Sequence, residues 1–254
     1  MKIAFPVPML VTSRITGYIA GVAEDNTDVA DVSERVLYHS WLDGGSRLVR
    51  IVLGEKRLEA RLVLEKPWER RREFLRLNPA GTVPVLIEDR RALADAIAIA
   101  EYLDESQAQP PLLGSDPAAR AEVRRLVGWF MNKCDREVTQ LLVGEKLFRR
   151  FLRMGETDSA AIRAAHHNLK VHLDYIGFLC ERRHYLAGGQ FSLADAAAAA
   201  HISIIDYFGD IAWENHPMAK DWYMRVKSRR AVRQLLADRI AGLAPPRHYE
   251  KLDF

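Results

Sequence analysis

The fold of this chain is decided by the stretch Asn78-Pro79-Ala80-Gly81-Thr82-Val83-Pro84-Val85-Leu86-Ile87-Glu88. A tight loop rich in proline and glycine leads into the Val83-Pro84 dipeptide, and a short apolar run follows, which predicts a loop and then a strand. The next segment, from Leu93 to Leu103, has helical periodicity. Because cis bonds make up only about 5–6% of X–Pro bonds in folded proteins, the proline alone does not fix the isomer.

Elements on both sides of this stretch complete a recognisable order. Apolar and β-branched runs predict strands at residues 36–39, 60–64, 85–87 and 92–93. Helical spacing predicts helices at residues 46–53 and 95–104, with a charged, partly helical connection at residues 67–77. The resulting order, β-α-β-α-β-β-α, is the thioredoxin-like one.

The second half of the chain predicts an all-helical domain, so the fold class is a two-domain α+β protein. Asp116 is a suitable N-cap, with Pro117 at the first helical position. Apolar residues then recur at helical spacing to about Ile240, in five or six helices. The predicted domains are an N-terminal extension (1–33), a thioredoxin-like domain (34–106), a linker (107–117), a helical domain (118–241) and a tail (242–254).

Charge, cysteine spacing and the lengths of the apolar runs limit the classes of function that this chain can have. A net charge of +3 does not by itself favour nucleic acid, and the arginine clusters suit either solvated helix faces or an acidic partner. Cys134 and Cys180 lack metal-ligand or CxxC spacing, which indicates a reducing compartment and no metal site. No apolar run approaches the ~20 residues of a membrane span. Residues 3–11 are interrupted by Pro6 and Pro8 and make a poor signal peptide, so a cytoplasmic location is expected.

These features resemble the glutathione transferase superfamily over residues 36–240. The resemblance rests on the strand order, Val83-Pro84, the linker, and Phe191-Ser192-Leu193-Ala194-Asp195, which is similar to the family's N-capping box. It implies a cis Val83–Pro84 bond whose backbone pairs with a bound peptide. It also implies that Ser192 caps a helix while Asp195 reaches back to the Ser192 amide.

The residues that should hold glutathione are altered. The family's serine or cysteine at the thiolate falls on Asp43 to Gly45, where a carboxylate would raise the thiolate pKa. Ser46 is the remaining hydroxyl, and a helix N-cap is its expected role. In the second glutathione contact, Asp95 keeps a shortened acid, but Ala96 lacks the family's hydroxyl, a loss worth roughly 1.5–3 kcal/mol. The predicted remnant groove therefore comprises Ser46, Val83, Pro84, Asp95 and Ala96, with no catalytic residue, no cofactor and doubtful glutathione binding.

Trp41 and the tail are candidates for contact with a protein partner. Trp41 follows the first predicted strand and suits either packing between domains or an exposed aromatic contact. In the tail, Pro245-Pro246 makes a stiff spacer before Tyr249, Leu252 and Phe254. This segment suits either a groove on its own domain or a linear motif for a partner.

The Trp-containing loop, the degraded glutathione site and the Pro-Pro-x-His-Tyr…Leu-Asp-Phe end resemble one bacterial branch, the transferase-like division proteins that bind FtsZ. The resemblance implies a homodimer that bundles or curves FtsZ filaments at the division site without catalysis, membrane span or nucleic acid. The predicted contact residues are Trp41, Arg47, Arg247, His248, Tyr249, Leu252, Asp253 and Phe254. A glutathione-dependent transferase or isomerase using Ser46, and a regulator that binds the transcription machinery, are the alternatives.

Overall fold

The structure, a computed structural model, describes residues 35–252. The expectations for the N-terminal extension, and for Asp253 and Phe254 in the tail, lie outside the described residues.

A four-stranded sheet forms the first half, with strand order β2-β1-β3-β4. The strands are β1 (Val36–His39), β2 (Arg61–Leu64), β3 (Val85–Glu88) and β4 (Arg91–Ala94). β2 runs parallel to β1, whereas β3 is antiparallel to both β1 and β4. Three helices accompany the sheet: α1 (Gly44–Lys56), α2 (Arg72–Leu77) and α3 (Ala96–Ser106). The predicted thioredoxin-like order is confirmed, and the Val83–Pro84 bond is cis.

The start of α1 corrects one prediction. Asp43, not Ser46, is the N-cap, because its side chain accepts a 2.6 Å hydrogen bond from the Ser46 amide. The predicted N-cap role of Ser46 is therefore wrong, and the helix begins two residues earlier than expected. The other predicted elements of this half lie within two residues of their observed bounds.

The second half is helical, as predicted. A long helix, α4, spans residues 117–151 in five consecutive segments, and two of them are π-helical: Trp129–Thr139 and Gly144–Phe148. The remaining α-helices of the described chain are α5 (Ser159–Cys180), α6 (Leu193–Phe208), α7 (Pro217–Lys227) and α8 (Arg230–Leu236), with a short 3-10 helix at Trp213–Asn215 before α7. Asp116 caps α4 through the Ala118 and Ala119 amides, with Pro117 at the first turn, which confirms that prediction.

The Ser192/Asp195 capping box is also confirmed, and it does more than cap. The Asp195 carboxylate accepts hydrogen bonds from the Ser192 amide, the Leu186 amide and the Trp222 indole. This buried carboxylate thereby fixes the start of α6 against α7 and the loop before α6.

One continuous hydrophobic core joins the two halves. It includes Leu37 and Leu86 of the sheet, Leu48 of α1, and the alanine-rich start of α6, where Ala196 to Ala200 are fully buried. Small residues allow these elements to approach closely. At Gly54 of α1, for example, a Cβ would lie 2.7 Å from the Ala231 Cβ of α8.

The tail, as far as residue 252, lies against its own domain. Tyr249 is fully buried and packs edge-to-face on Tyr207 of α6 at 5.1 Å. Leu252 joins the same small cluster as Leu42, Ile204 and Leu236. Of the two interpretations of this segment, the groove on its own domain is therefore the one observed for residues 242–252.

Among residues 35–252, no helix has the length and apolar character needed to cross a membrane.

Candidate functional site

A cleft of about 680 Å³ lies between the loop after β1 and helix α4. Ser40, Asp43, Gly44, Trp68 and Val83 line one wall, and Asp135, Thr139, Val143, Leu147 and Phe148 line the other. Trp68 and Phe148 meet across it, with ring centroids 5.4 Å apart. The cleft is therefore mostly apolar, with a small group of polar side chains at the end nearer α1.

The π-helical turns of α4 explain why so much of this helix faces the cleft. The lining positions Asp135, Thr139, Val143 and Leu147 recur every four residues. Such a row drifts around an α-helix of 3.6 residues per turn, whereas the wider π-turn compensates for the drift. Two π segments thus keep one stripe of side chains directed at the cleft.

Two carboxylates are the main polar groups of the cleft. Burial raises the pKa of Asp43 to about 6; the nearby Asp135 adds to the rise, and the hydrogen bonds from Ser46 oppose it. Burial also raises the pKa of Asp135, against a 2.6 Å hydrogen bond from Gln140. A thiolate placed here would meet negative charge instead of a hydroxyl donor, so the electrostatics oppose thiolate chemistry.

Ser46 does not present its hydroxyl to the cleft. The side chain is fully buried, and its oxygen accepts a 3.1 Å hydrogen bond from the Ser40 amide, which holds the loop after β1 closed on α1. Ser46 is also absent from the lining of the cleft. The serine therefore holds the loop and does not face the cleft.

Two residues of the predicted remnant groove, Pro84 and Ala96, do converge. A Cβ on Gly45 would lie 3.0 Å from both the Pro84 Cδ and the Ala96 Cβ, so α1, the cis peptide and α3 meet at this glycine. The side chain of Ala96 is nine-tenths buried in that contact. The place where the family carries a hydroxyl is thus occupied by apolar packing.

Asp95 is exposed and already has hydrogen-bond donors. One carboxylate oxygen accepts hydrogen bonds from the Ile97 and Ala98 amides, at 2.9 and 3.0 Å, and caps α3. Its φ of 76° lies in a region that non-glycine residues seldom adopt and that costs of order 1–3 kcal/mol. A second oxygen remains for a ligand, but the neighbouring hydroxyl is missing.

His201 is a residue of the site that the sequence interpretation missed. Its ring lies directly behind Gly44, where a Cβ would come within 2.2 Å of Cε1, and its Nδ1 is 2.9 Å from the Thr139 hydroxyl. Burial lowers the pKa of His201 to about 3. The adjacent pair Gly44-Gly45 was the available signal, since two glycines at a helix start indicate close approach from more than one side.

Arg47, predicted to contact a partner, lies inside the molecule. Its side chain has no exposed surface, and it donates to the Trp41 carbonyl at 2.8 Å and to the Ser203 hydroxyl at 2.7 Å. Arg47 also neighbours Asp238, which forms a bidentate pair with Arg50 at 2.8 Å. In this arrangement, Arg47 positions other groups and does not reach a partner directly.

Trp41 is half-buried and lies over this charged cluster. Its ring meets His39 edge-on at 4.6 Å, and the Arg50 guanidinium lies 5.1 Å from its centroid. Burial lowers the pKa of His39 to about 4, and the charge of Arg50 lowers it further. Both interpretations of Trp41 remain compatible with this position, since part of the ring is packed and part is accessible.

The tail residues divide into buried and exposed ones. Tyr249 is buried, and His248 lies 3.0 Å from Asp206 through its Nε2 while its carbonyl accepts from Lys227. Arg247 is exposed. Burial raises the pKa of Tyr249, and the neighbouring Arg47 guanidinium opposes that rise. Arg47 therefore contacts both the tail and the loop that carries Trp41.

The comparisons agree with this fold and site. Residues 46–106 match the Glutathione S-transferase N-terminal domain, and residues 139–230 match the Glutathione S-transferase C-terminal domain. The chain therefore belongs to the glutathione S-transferase family. FtsZ-localized protein A of Caulobacter vibrioides is 50% identical over 225 residues, which cover 87% of this chain and 99% of that protein.

Two solved structures extend the likeness. A glutathione S-transferase from Rhodospirillum rubrum F11 superimposes with a TM-score of 0.85 at 51% identity. FzlA from C. crescentus superimposes with a TM-score of 0.83 at 51% identity. Each covers 87% of this chain and 100% of its own.

Proposed function

We propose that this chain is a non-catalytic member of the family that binds FtsZ filaments as a homodimer and promotes their bundling or curvature in bacterial cell division. The observation that carries the proposal is the 50% identity to FtsZ-localized protein A, across nearly the whole length of that protein. The same relationship supports the proposed action at the division site.

The state of the glutathione positions supports a role without catalysis. The Ser46 hydroxyl is engaged with the Ser40 amide, Ala96 fills the place of a hydroxyl, and Asp43 brings negative charge to the thiolate position. We expect each change to weaken glutathione binding or thiolate formation by a separate physical route.

The proposed partner surface consists of Trp41 and the exposed residues of the tail. Arg47 contacts the Trp41 carbonyl and neighbours Tyr249, so one buried side chain orders both parts of this surface. A two-fold dimer would present the surface twice, and two copies are what cross-linking of filaments requires.

Co-sedimentation with FtsZ polymerised in GTP tests the proposal, together with calorimetric titration of glutathione. We expect the protein to pellet with filaments and glutathione to give no heat at micromolar concentration. Glutathione binding in that range without pelleting would overturn the proposal.

The surface is mapped with variants that leave the core intact. Trp41→Ala and Arg247→Glu are expected to weaken pelleting by tenfold or more, about 1.4 kcal/mol, whereas Arg233→Glu on exposed α8 surface is the matched charge control. Truncation after Ala244 is unsuitable because it removes the fully buried Tyr249. Deletion of Asp253 and Phe254 tests the end of the tail instead. Unchanged pelleting by all three variants would reject this surface.

A glutathione-dependent transferase or isomerase is the second candidate. Its support is the cleft of about 680 Å³ beside the retained cis Val83–Pro84 bond. Glutathione-dependent turnover of an electrophile by the unaltered chain would favour this function over the first.

A further inference from the structure

β2 is the outer strand of the sheet, and its outward backbone groups pair with no other strand of residues 35–252. The Arg61 and Glu65 amides donate to the Arg35 and His39 carbonyls, so alternate residues of this parallel strand face β1. The amides and carbonyls of Leu62 and Leu64 consequently face away from the sheet. Such a row of outward-facing donors and acceptors is a template for pairing with another extended segment.

The side chains at this edge continue the apolar face of the sheet. Leu62 lies beside the fully buried Leu37, and Leu64 lies beside the buried His39. Residues paired across strands project to the same face, so both leucines belong to the layer that α1 covers elsewhere. They are nevertheless 42% and 48% exposed, because the cover ends before the edge strand. One further strand would extend this layer and cover them.

The flanks of the edge are positively charged. Residues 57–76 contain seven arginines and lysines and four glutamates, so the segment carries as much net positive charge as the whole chain. Arg71 pairs with the buried Glu65 at the end of β2. Its neighbours Arg70 and Arg72 are exposed and make no ion pair within residues 35–252. They are therefore available to an acidic ligand.

We propose that the β2 edge is a docking site for an extended acidic peptide that alternates carboxylates with apolar side chains and adds to the sheet as a fifth strand. Main-chain hydrogen bonds to Leu62 and Leu64 would supply affinity, and alternate apolar side chains would cover the two leucines. The carboxylates would face the arginines after β2. A second copy of β2 is disfavoured as occupant, because the same positive flanks would repel each other.

Fluorescence anisotropy with a labelled synthetic peptide of about nine residues, alternating valine and glutamate, tests the site on the full chain. We expect a Kd of about 10–100 µM, which weakens as salt concentration rises. The same peptide with lysine in place of glutamate should bind at least tenfold more weakly. So should the acidic peptide with N-methyl groups on the backbone amides that face the edge.

Two protein variants separate the backbone from the side chain. Leu64→Pro removes one outward amide but leaves the β1 ladder, which uses Arg61 and Glu65. It should weaken binding more than Leu64→Ala, which keeps the amide.

A second pair of variants tests the positive charge beside the edge. Arg70→Glu with Arg72→Glu should weaken binding by tenfold or more, whereas Arg230→Glu with Arg233→Glu on α8 should not. Circular dichroism checks that each variant is folded.

The proposal is overturned if the acidic peptide fails to bind at about 1 mM, or if N-methylation leaves its affinity unchanged. Equal affinity for the acidic and basic peptides would also overturn it. Concentration-dependent dimerisation that Leu64→Pro abolishes, without peptide binding, would assign the edge to a second copy and reject the peptide as occupant.

Discussion

At the scale of single residues, Gly44 and Gly45 set the form of the site. Gly44 leaves room for the His201 ring, and Gly45 leaves room for Pro84 and Ala96. The start of α1 thereby contacts α6 on one side and the cis peptide with α3 on the other. This enclosure on two sides accounts for the absence of a side chain where a thiolate-stabilising group would stand.

Gly44→Ala should lower the free energy of unfolding by about 3 kcal/mol or more, because the new Cβ would lie 2.2 Å from an atom of the buried His201. The matched control is Gly144→Ala, at another helical glycine, with no atom within 4 Å of its added Cβ. That control should gain about 0.5–1 kcal/mol from helix propensity. Urea denaturation measures both, and equal values for the two variants would contradict the predicted clash.

His201 should make the protein lose stability in mild acid. Burial lowers its pKa to about 3, so the folded chain keeps it neutral while the unfolded chain protonates it below about pH 6.5. The unfolded chain then binds more protons, and the free energy of unfolding falls as pH drops from about 6.5 toward 3. His201→Asn should reduce this slope by up to about 1.4 kcal/mol per pH unit.

Urea denaturation from pH 4 to 7.5 measures this slope, and His184→Asn, at an exposed histidine, is the control. Asp43 contributes equally to the pH dependence of stability in the unaltered chain and in both variants, so its contribution cancels in the comparison. A slope that is the same in His201→Asn and in the unaltered chain would contradict the prediction.

Several residues were predictable because their role is local. Asp116 and the Ser192/Asp195 box act on amides within three positions of themselves, so spacing identifies them. Arg47 was predicted to contact a partner, and only Ser203 and Asp238, more than a hundred positions away, explain its burial. Long-range partners of this kind leave no local pattern.

At the scale of elements, the tail is part of the structural core of the helical domain. His248 and Tyr249 close over the buried pair formed by Lys227 and Asp206, and the Tyr207 hydroxyl donates to the Leu243 carbonyl at 2.7 Å. The sequence left two interpretations of this segment open because its apolar residues suit either a groove in cis or a partner.

Tyr249→Ala should lower the free energy of unfolding by about 3–5 kcal/mol, as expected for loss of a fully buried aromatic side chain. Tyr249→Phe keeps the ring but loses a 3.4 Å hydrogen bond to the Leu235 carbonyl and a side-chain hydrogen bond with Arg47, so it should cost about 1–3 kcal/mol. Denaturant titrations followed by tryptophan fluorescence measure both. A small effect of the alanine variant would show that the tail is not part of the folded core.

The order of elements was predictable, whereas the π-helical turns of α4 were not. Apolar periodicity locates a helix, but it does not mark where the backbone hydrogen bonds change from four residues apart to five. The row from Asp135 to Leu147 was consequently invisible as one wall of a cleft.

At the scale of the whole molecule, the two halves should unfold together. Their hydrophobic core is continuous. Two ion pairs also join α1 to the region of α8: Arg50 pairs with Asp238, just after the end of α8, and Glu55 pairs with Arg229, just before its start. The fold class and both halves followed from sequence, because each half has its own periodicity. The charged cluster of Arg47, Arg50 and Asp238 did not follow from sequence, because it depends on how the two halves meet.

Asp238→Asn should destabilise the protein by about 3–5 kcal/mol, because two buried arginines would lose their shared carboxylate. Asp221→Asn, at an exposed position of α7, should change stability by less than about 0.5 kcal/mol. Thermal unfolding followed by both circular dichroism and tryptophan fluorescence measures the effect. If the two probes gave coincident transitions for Asp238→Asn, at the same midpoint temperature as the unaltered chain, the proposed role of Asp238 in joining the two halves would be contradicted.

The enclosed glycines at the start of α1 also bear on the evolutionary history of the site. A side chain restored at residue 44 or 45 would collide with a neighbour before it could assist a thiol, and Ala96 would still lack its hydroxyl. On the proposed function, a substitution at either glycine alone would therefore cost stability without restoring the site. A return to transferase chemistry would then require the backbone around α1 to move first, so the loss of the site would act as a ratchet.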